Sequence, residues 1–454
     1  MTRALERDLA LREGFAQDAS GLRMVPDAVA RPSSHEETVA VVRECASNGS
    51  TLTPAGGQTS TTAASIADHG VLLSLRAMDR VLDVDAAART VRVEAGAIVA
   101  DVKRAAAAEG LLFAPDPTSE ESCTIGGAIA CNASGARTLR YGATRAHVRA
   151  LTVVLASGET VELRRNPLEK NTVGYALAHD PIDWFVGSEG TLGIVTSAEL
   201  ALLPLPERVV GLAVPFTNEH DALRFVVAAR ESSIVAPRCL EYFDALALAV
   251  AAGAHGDRLA APGTAALVYA EDAGHGEAPL DQWLELAESC GALVDDLRVL
   301  ESEALLREAR EARHAVPATM NERGARQRPH GGRKVSTDWA VPFRRLHEAI
   351  ATARRLADEA GIDQAVIYGH AGNGHPHQNF IADDAEAVKR IEHVVEETLR
   401  AVIAMGGTVA AEHGIGKLKR KWLPLQLSPL QQSAMRAMKR ELDPKGILAP
   451  GNVL

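Results

Sequence analysis

Three histidines fall within eight residues of this chain, at His370, His375 and His377, in the run GHAGNGHPHQN. Imidazole is the commonest protein ligand for zinc and similar metals. A lone histidine is more often a packed or solvated side chain, so the clustering on a glycine-rich turn is what points to metal chemistry. If the segment is extended, side chains alternate, and His375 and His377 face the same way. A second pair, Glu412 and His413, sits in AEHGIGK. Alone, a Glu-His pair beside glycines says little. Together, a carboxylate and two imidazoles make a metal site with open coordination positions. Such a site can hold a small substrate through a carboxylate and a hydroxyl oxygen, and lower the hydroxyl pKa. Zinc-bound water sets the scale, falling from 15.7 to about 7.

Glycine-rich stretches in the first half carry the second signal. The first is Pro54-Ala55-Gly56-Gly57-Gln58-Thr59-Ser60, directly after an apolar run. The second comprises Pro115-Asp116-Pro117-Thr118, Thr124-Ile125-Gly126-Gly127-Ala128 and Asn132-Ala133-Ser134-Gly135. The third is Gly187-Ser188-Glu189-Gly190-Thr191-Leu192-Gly193-Ile194. Glycine permits positive φ and lets backbone N–H groups converge on an anion. Any one of these is usually a tight turn. Three of them, each beside a strand, point to one extended pyrophosphate-bearing ligand. No GxGxxG opens a helix, which disfavours a Rossmann site.

These groups need elements to hold them. The run SSHEETVAVVRECASNG predicts a helix, with Ser34 as cap, Glu37 three residues on, and Asn48-Gly49 as the stop. STLTPAGG, VLLSL, VLDVD and TVRVEAG predict strands. ADVKRAAAAEGLL predicts a helix with a glycine stop. LTVVLASGETVEL predicts two strands joined at Ser157-Gly158. Residues 1–30 read as a short helix and lead-in. After LLPLPERVVG, where Pro204 and Pro206 punctuate the chain, longer helices follow in DALRFVVAARES, PLDQWLELAESCG and SEALLREAREARHAV. AALVYAE, QAVIYGH and GGTVA predict strands, and SPLQQSAMRAMKRELDP a final helix. Both halves are therefore α+β, without repeats or low-complexity segments.

The 454 residues allow two or three domains at about 150 each. A net charge of −11 repels phosphate backbones and argues against nucleic acid. An anionic substrate then needs a local basic pocket. Cys45, Cys123, Cys131, Cys239 and Cys290 are scattered, odd in number and without a CxxC pair, which predicts reduced, mostly buried thiols. The N-terminus MTRALERDLALREG lacks an apolar core and does not read as a secretory signal. The longest apolar stretch, residues 245–254, is about half of what a bilayer crossing needs. The expected location is cytoplasmic, with peripheral membrane attachment left open.

The run PDPTSEESCTIGGAIACNASG…RYG, followed by FVGSEGTLGIVT, resembles the FAD-binding domain of the vanillyl-alcohol oxidase (PCMH-type) superfamily. Within it, the chain is similar to the group of D-lactate dehydrogenases, D-2-hydroxyglutarate dehydrogenases and the flavin-binding chain of glycolate oxidase. The likeness runs from about residue 30 to the C-terminus. It implies a lead-in over 1–30 and a two-subdomain FAD-binding domain over 31–207. An α+β substrate (cap) domain with the metal site and a C-terminal helical segment follows over 208–454. It also implies that Pro54, Gly56, Gly57, Gln58, Thr59 and Ser60 hold the FAD pyrophosphate. Pro115, Asp116, Thr118, Thr124, Gly126, Gly127, Asn132 and Ser134 then run along the flavin, and Glu189, Gly190 and Ile194 close the adenine–ribose side. The family often has arginine where Ala55 stands and glycine near Ala64. The first loop carries neither histidine nor cysteine, so non-covalent FAD is expected.

In the second half, GHAGNGHPH and EHGIG resemble the family's HAGDGNxH and EHGxG motifs. The implied metal ligands are His370, His377 and Glu412, the general base is His413, and Asn379 contacts substrate. Asn373 replaces the usual aspartate and His375 the usual asparagine, which leaves the metal open between zinc, manganese and iron. The basic stretch ending in GGRKVSTDWAVP reads either as a solvated surface loop or, by the resemblance, as the source of carboxylate anchors. These are Arg313, with Arg310 as its rival, and Lys334 ahead of Asp338 and Pro342.

The implied reaction is FAD-dependent oxidation of a small D-2-hydroxy acid such as D-lactate, glycolate or 2-hydroxyglutarate. His413 takes the hydroxyl proton, hydride passes from Cα to flavin N5, and the 2-oxo acid leaves. A sugar, lactone or alcohol oxidase on the same scaffold would not need the metal cluster. A non-catalytic flavin-binding subunit would not need the histidines. No iron–sulfur domain is expected after PGNVL, and the expected electron acceptor is a quinone, a cytochrome, an electron-transfer flavoprotein or oxygen. A homodimer is compatible with the sequence.

Overall fold

Ser34 starts the first long helix as its spacing predicts: its hydroxyl accepts from Glu37 N at 3.2 Å, and the helix runs His35–Asn48 to Gly49 at φ 72°. The Glu37 carboxylate accepts from Ser33 N at 2.8 Å. The computed structural model describes residues 5–255, 263–274, 276–362 and 365–454. Gln364, the first residue of one predicted strand, lies outside them. The chain divides into two units. One comprises residues 1–135, 142–205 and 412–454, the other residues 136–141 and 206–411.

The first unit holds strands β1 (Ala28–Ala30), β2 (Leu52–Ala55), β3 (Val71–Ser74), β4 (Val81–Asp85), β5 (Thr90–Glu94), β6 (Leu111–Leu112), β7 (Val148–Val154), β8 (Thr160–Arg164), β9 (Ile194–Ala201) and β10 (Leu203–Pro204). A small parallel sheet has the order β1-β3-β2, and a five-stranded antiparallel sheet the order β4-β5-β9-β7-β8. Gly158, at φ 80°, makes the β7–β8 turn. Val41, Cys45, Leu52, Leu73, Val91, Val153 and Ile194 share the core of this unit. The strand β2 ends where Gly56 begins, so the sheet edge sets the entry of the first glycine loop.

The second unit holds β11 (Arg208–Phe216), β12 (Pro237–Asp244), β13 (Ala266–Gly274), β14 (Arg298–Leu300), β15 (Gly331–Ser336), β16 (Val366–His370) and β17 (His375–Asp384). They form one antiparallel sheet ordered β14-β11-β13-β12-β16-β17-β15. The helix Glu303–Gln327 buries Leu306, Ala309, Ala312, Arg313, Val316, Met320 and Gly324, a three-to-four-residue spacing that keeps one face inward.

Two expectations are corrected here. The basic stretch is no surface loop. Its first half continues the helix to Gln327 and its second half is β15. Pro317 lacks an N–H and so removes one helix bond, but the inward stripe continues past it to Met320 and Gly324. The run GGTVA, predicted as a strand, makes only a single bridge, Thr408 with Ala340. Thr408 N donates to Ala340 O at 2.8 Å, and the next bond runs from Ala411 N to Asp338 O at 2.8 Å. Three residues on one side thus oppose two on the other, which breaks a regular ladder.

All five cysteines are free, and all but Cys131 are buried. Among the described residues no helix is long and apolar enough to cross a membrane.

Candidate active site

In the second unit, β16 and β17 form a hairpin whose register pairs His370 with His375 and Tyr368 with His377. The turn between them, Ala371–Asn373, closes through Gly374 at φ 68°, where a Cβ would lie 2.0 Å from Val341 O. Only glycine fits that approach. Alternation along β17 puts His375 and His377 on one face, and pairing sets His370 beside them. The ring centroids are 5.4 Å (His370–His375), 5.3 Å (His370–His377) and 4.6 Å (His375–His377) apart. Each residue is at most 7% exposed, and one ring nitrogen of each lies within 4.8 Å of the others.

A buried carboxylate orients the first ring. Glu241 on β12 is 2% exposed. Its Oε1 lies 2.7 Å from His370 Nδ1, and its Oε2 accepts from Arg313 Nε at 2.9 Å. Arg313 Nη2 lies 3.2 Å from His370 Nε2. A guanidinium can only donate, so Nε2 carries the lone pair and Nδ1 the proton given to Glu241. That tautomer leaves Nε2 as the ligand atom, which a metal would take over from Arg313 Nη2. Burial alone would raise the Glu241 carboxyl, but the facing His370 and Arg313 more than offset it and hold it well below the usual range. His375 differs. Its Nε2 is buried, lies 3.1 Å from Asp338 Oδ1 and is out of line for a hydrogen bond, so it has no partner. An unmet buried polar atom costs about 1–3 kcal/mol, and a cation among the three rings would remove that cost. Buried imidazole nitrogens in this number suit a divalent metal of the zinc type.

Lys334 and Asn379 stand on the neighbouring strands. β15 pairs Lys334 with Ile381 and Ser336 with Asn379. Asn379 is buried. Its Oδ1 accepts from Ser336 Oγ at 2.6 Å, while its Nδ2 has no partner. Lys334 is half-buried, and desolvation pulls its ammonium down to about 8. Arg313 is the arginine beside the histidines. Arg310, one turn earlier, faces Glu271 and Glu303 instead.

Glu412 and His413 belong to the first unit. His413 Nε2 lies 3.6 Å from Glu412 Oε1, and Ser134 Oγ donates to Glu412 Oε2 at 3.5 Å. The loop after them is pinned by Glu189, whose carboxylate accepts from Ile415 N at 2.6 Å and Gly416 N at 2.7 Å. Gly414, at φ 74°, packs with no room for a Cβ beside Glu189 Oε1. Burial raises the Glu189 carboxyl despite these two amides. Lys417 completes the anchor through Ala63 O, Ile66 O and Asn452 Oδ1.

The glycine loops of the same unit press on one another. A Cβ on Gly56 would meet Thr124 Oγ1 at 2.1 Å, on Gly57 Ser122 O at 2.1 Å, on Gly126 the Ala95 side chain at 2.8 Å and on Gly190 Pro54 Cγ at 2.3 Å. Thr124 caps the helix Ile125–Cys131 through Gly127 N. The backbone N–H groups of Gly57, Gln58, Thr59 and Ser60 find no protein acceptor among the described residues. Such a run of unmet amides fits a pyrophosphate. Several side chains in these loops serve the protein itself. Gln58 Nε2 donates to Phe15 O and Ser65 O, Ser60 Oγ accepts from Thr62 N and Ala64 N, and Asn132 Oδ1 accepts from Arg145 N. Thr59 is half-buried, Asp116 is half-buried between buried Pro115 and Pro117, Thr118 is exposed, and Ile194 is in the core.

Sequence reasoning missed Glu241 and the anchoring work of Glu189. The signal for Glu241 was present: carboxylates inside CLEYFDALALA, an otherwise mostly apolar run, demand buried partners.

Closely packed glycine loops with unmet amides in one unit, and an antiparallel sheet carrying buried imidazoles in the other, fit an FAD-linked oxidoreductase. The chain belongs to that family: the FAD binding domain model matches residues 26–164, and the model for the C-terminal domain of FAD linked oxidases matches residues 205–453. It is 30% identical to a D-lactate dehydrogenase of Anaerostipes hadrus, over 98% of this chain and 93% of that one. It is 34% identical to a D-2-hydroxyglutarate dehydrogenase of Xanthomonas citri pv. viticola (94% and 89%) and 31% identical to glycolate oxidase subunit GlcD of Bacillus subtilis (94% and 89%). The fold matches an alkyldihydroxyacetonephosphate synthase at TM-score 0.72 and 19% identity, over 98% of this chain and 83% of that one. It matches 4-ethylphenol oxidase from Gulosibacter chungangensis at TM-score 0.71 and 18% identity, over 99% and 94%.

Proposed function

We propose that this flavoprotein oxidises a small D-2-hydroxy acid to its 2-oxo acid, with non-covalent FAD and a divalent metal, zinc in the first place. The observation that carries the metal half is the buried cluster of His370, His375 and His377, with Glu241 and Asp338 beside it. The hydroxy-acid half is supported by relatives named for D-lactate, glycolate and 2-hydroxyglutarate.

His370 and His377 hold the metal, with Glu412 as the carboxylate ligand. FAD lies along the glycine loops, through the amides at 56–60 and the segments at 115–118, 124–134 and 189–194. Bound FAD supplies the acceptor for the hydride leaving Cα, and the metal supplies Lewis acidity toward the hydroxyl. The chain's own groups do the rest. Lys334 neutralises the substrate carboxylate as a point charge. Arg313, with Nε on Glu241 and Nη2 against His370, adds positive charge for the substrate carboxylate. Asn379 Nδ2 orients the acid. His413 takes the hydroxyl proton, the role that suits an imidazole near neutral pH. Its position beside Glu412 favours that transfer. A cytoplasmic setting and an external electron acceptor complete the reading.

The test is a panel of hydroxy acids assayed with an artificial dye acceptor, before and after treatment with a chelator, with metal content measured on the same sample. Loss of turnover on chelation, restored by zinc, is expected. Turnover unchanged by metal removal sinks the metal-assisted route. His413→Asn should slow flavin reduction by substrate about 10²–10⁴-fold while the yellow colour remains.

A further inference from the structure

Several buried polar groups on the β16–β17 hairpin lack a hydrogen-bond partner, and one of them is an imidazole. His375 is 4% exposed, and its Nε2 has no hydrogen-bond partner. It stands between His370, ring against ring across the β16–β17 register, and His377, two residues along the same strand face. The resemblance implies two imidazole ligands, and this chain carries a third at a position where the motif has asparagine.

We infer that His375 is itself a metal ligand, so that the second unit presents a three-imidazole site in which Glu241 orients His370 and Asp338 adds negative charge beside His375. Three observations converge. The three rings each offer a nitrogen within 4.8 Å of the others. His370 is locked as the Nδ1–H tautomer by Glu241 at 2.7 Å and by the guanidinium of Arg313 on its other nitrogen. Asp338, 2% exposed, lies 3.1 Å from His375 Nε2 without a hydrogen bond to it, so it adds negative charge beside the nitrogen that would face a cation. Nitrogen donors in this number favour zinc, cobalt or nickel over manganese or magnesium, which prefer oxygen. The substitution therefore sets metal selectivity as well as affinity. This deepens the metal half of the function proposed above and rests on it.

The experiment uses the full-length, flavin-loaded protein, stripped with a chelator and reloaded with one metal at a time. Pulsed EPR of the copper(II)-loaded wild type counts coordinated imidazoles; three are expected, and two overturns the inference without depending on any variant. Zinc titration against a chromophoric chelator then compares wild type with His375→Asn, His377→Asn and Glu241→Gln. His375→Asn should weaken zinc more than about tenfold and narrow its advantage over manganese. Glu241→Gln should weaken it about 10–100-fold. Unaltered zinc affinity in His375→Asn, with loss in His377→Asn, removes His375 from the ligand set and leaves the proposed function standing. A wild type that binds none of the metals brings down both.

Discussion

Two buried glutamates on adjacent strands of the second unit make an instructive pair. Glu241 on β12 lies opposite Tyr269 on β13, two residues from Glu271, so both carboxylates face the helix Glu303–Gln327. Both are about 2% exposed. Each meets an arginine from that helix, Arg313 for Glu241 and Arg310 for Glu271. Their remaining partners differ. Glu271 accepts from Arg238 Nε at 2.6 Å and Tyr269 Oη at 2.8 Å, with Arg137 at 3.4 Å. Glu241 has His370. Permanent cations and a phenol make a fixed brace. An imidazole makes a group that can ligate or exchange a proton. Equal burial therefore does not mean equal role; partner identity separates structure from chemistry.

The largest expected effect tests the brace. Glu271→Ala leaves Arg238, 6% exposed at its side chain, without its carboxylate. Removing one partner of a buried pair costs about 3–5 kcal/mol, so the thermal midpoint should fall by roughly 10 °C for a unit of this size, with kcat little changed in whatever protein remains folded. Glu241→Gln should add a functional loss. It leaves the buried Arg313 without its carboxylate, so the midpoint falls as well, but metal content and turnover drop with it. Calorimetry and steady-state rates on both variants check the split. Similar profiles for the two would erase the distinction.

Acidification probes the brace directly. Burial raises the Glu271 carboxyl, but Arg137, Arg238 and Tyr269 more than offset it and hold it at about 2, against 4.5 unfolded. A depressed carboxyl contributes stability that is fully present above the unfolded value and is lost as pH falls through the folded one. The window is thus pH 4.5 down to about 2, and the contribution is about 3 kcal/mol. Urea midpoints measured across that window should fall less steeply in Glu271→Gln than in wild type.

How much of this was legible beforehand follows the same division. Local rules were readable: Ser34 as a cap, Gly49 as a stop, Gly158 in the hairpin, and the alternation that puts His375 and His377 on one face. The histidine cluster was visible because its members are close in sequence. Glu241 was not placed, because it is 129 residues from His370 and only strand order β12-β16-β17 brings them together. Nor was the packing of residues 412–454 with the first unit, which rests on Glu189 reaching Ile415 and Gly416, 226 and 227 positions away. The helix past Pro317 was hidden by a residue that normally ends helices, overruled here by the inward stripe on either side of it.

Lys334 extends the comparison to a third charge, half-buried and with no carboxylate facing it among the described residues. Desolvation alone lowers its ammonium, from 10.5 to about 8. A cation with a depressed folded value is destabilising while charged, and that penalty fades as pH rises from about 8 toward 10.5. In the proposed function an arriving carboxylate would supply the missing partner. KM for the hydroxy acid should therefore be flat below about pH 8 and climb above it, and Lys334→Met should raise KM near neutral pH while flattening that climb.

The smallest effect is also the most discriminating, because it changes two residues one turn apart in the same way. Arg310 is 30% exposed at its side chain and reaches Glu271 only at 3.7 Å. A lysine there keeps the charge and should cost at most about 1 kcal/mol. Arg313 is 8% exposed at its side chain, donates Nε to Glu241 and sets Nη2 against His370. Lysine is a point charge and cannot span both partners, so the His370 tautomer loses one of its two restraints. Arg313→Lys should therefore lower kcat several-fold while Arg310→Lys leaves it unchanged. Equal losses in the two variants would mean that the helix contributes charge alone, and that its fork-shaped donors do not set the ring.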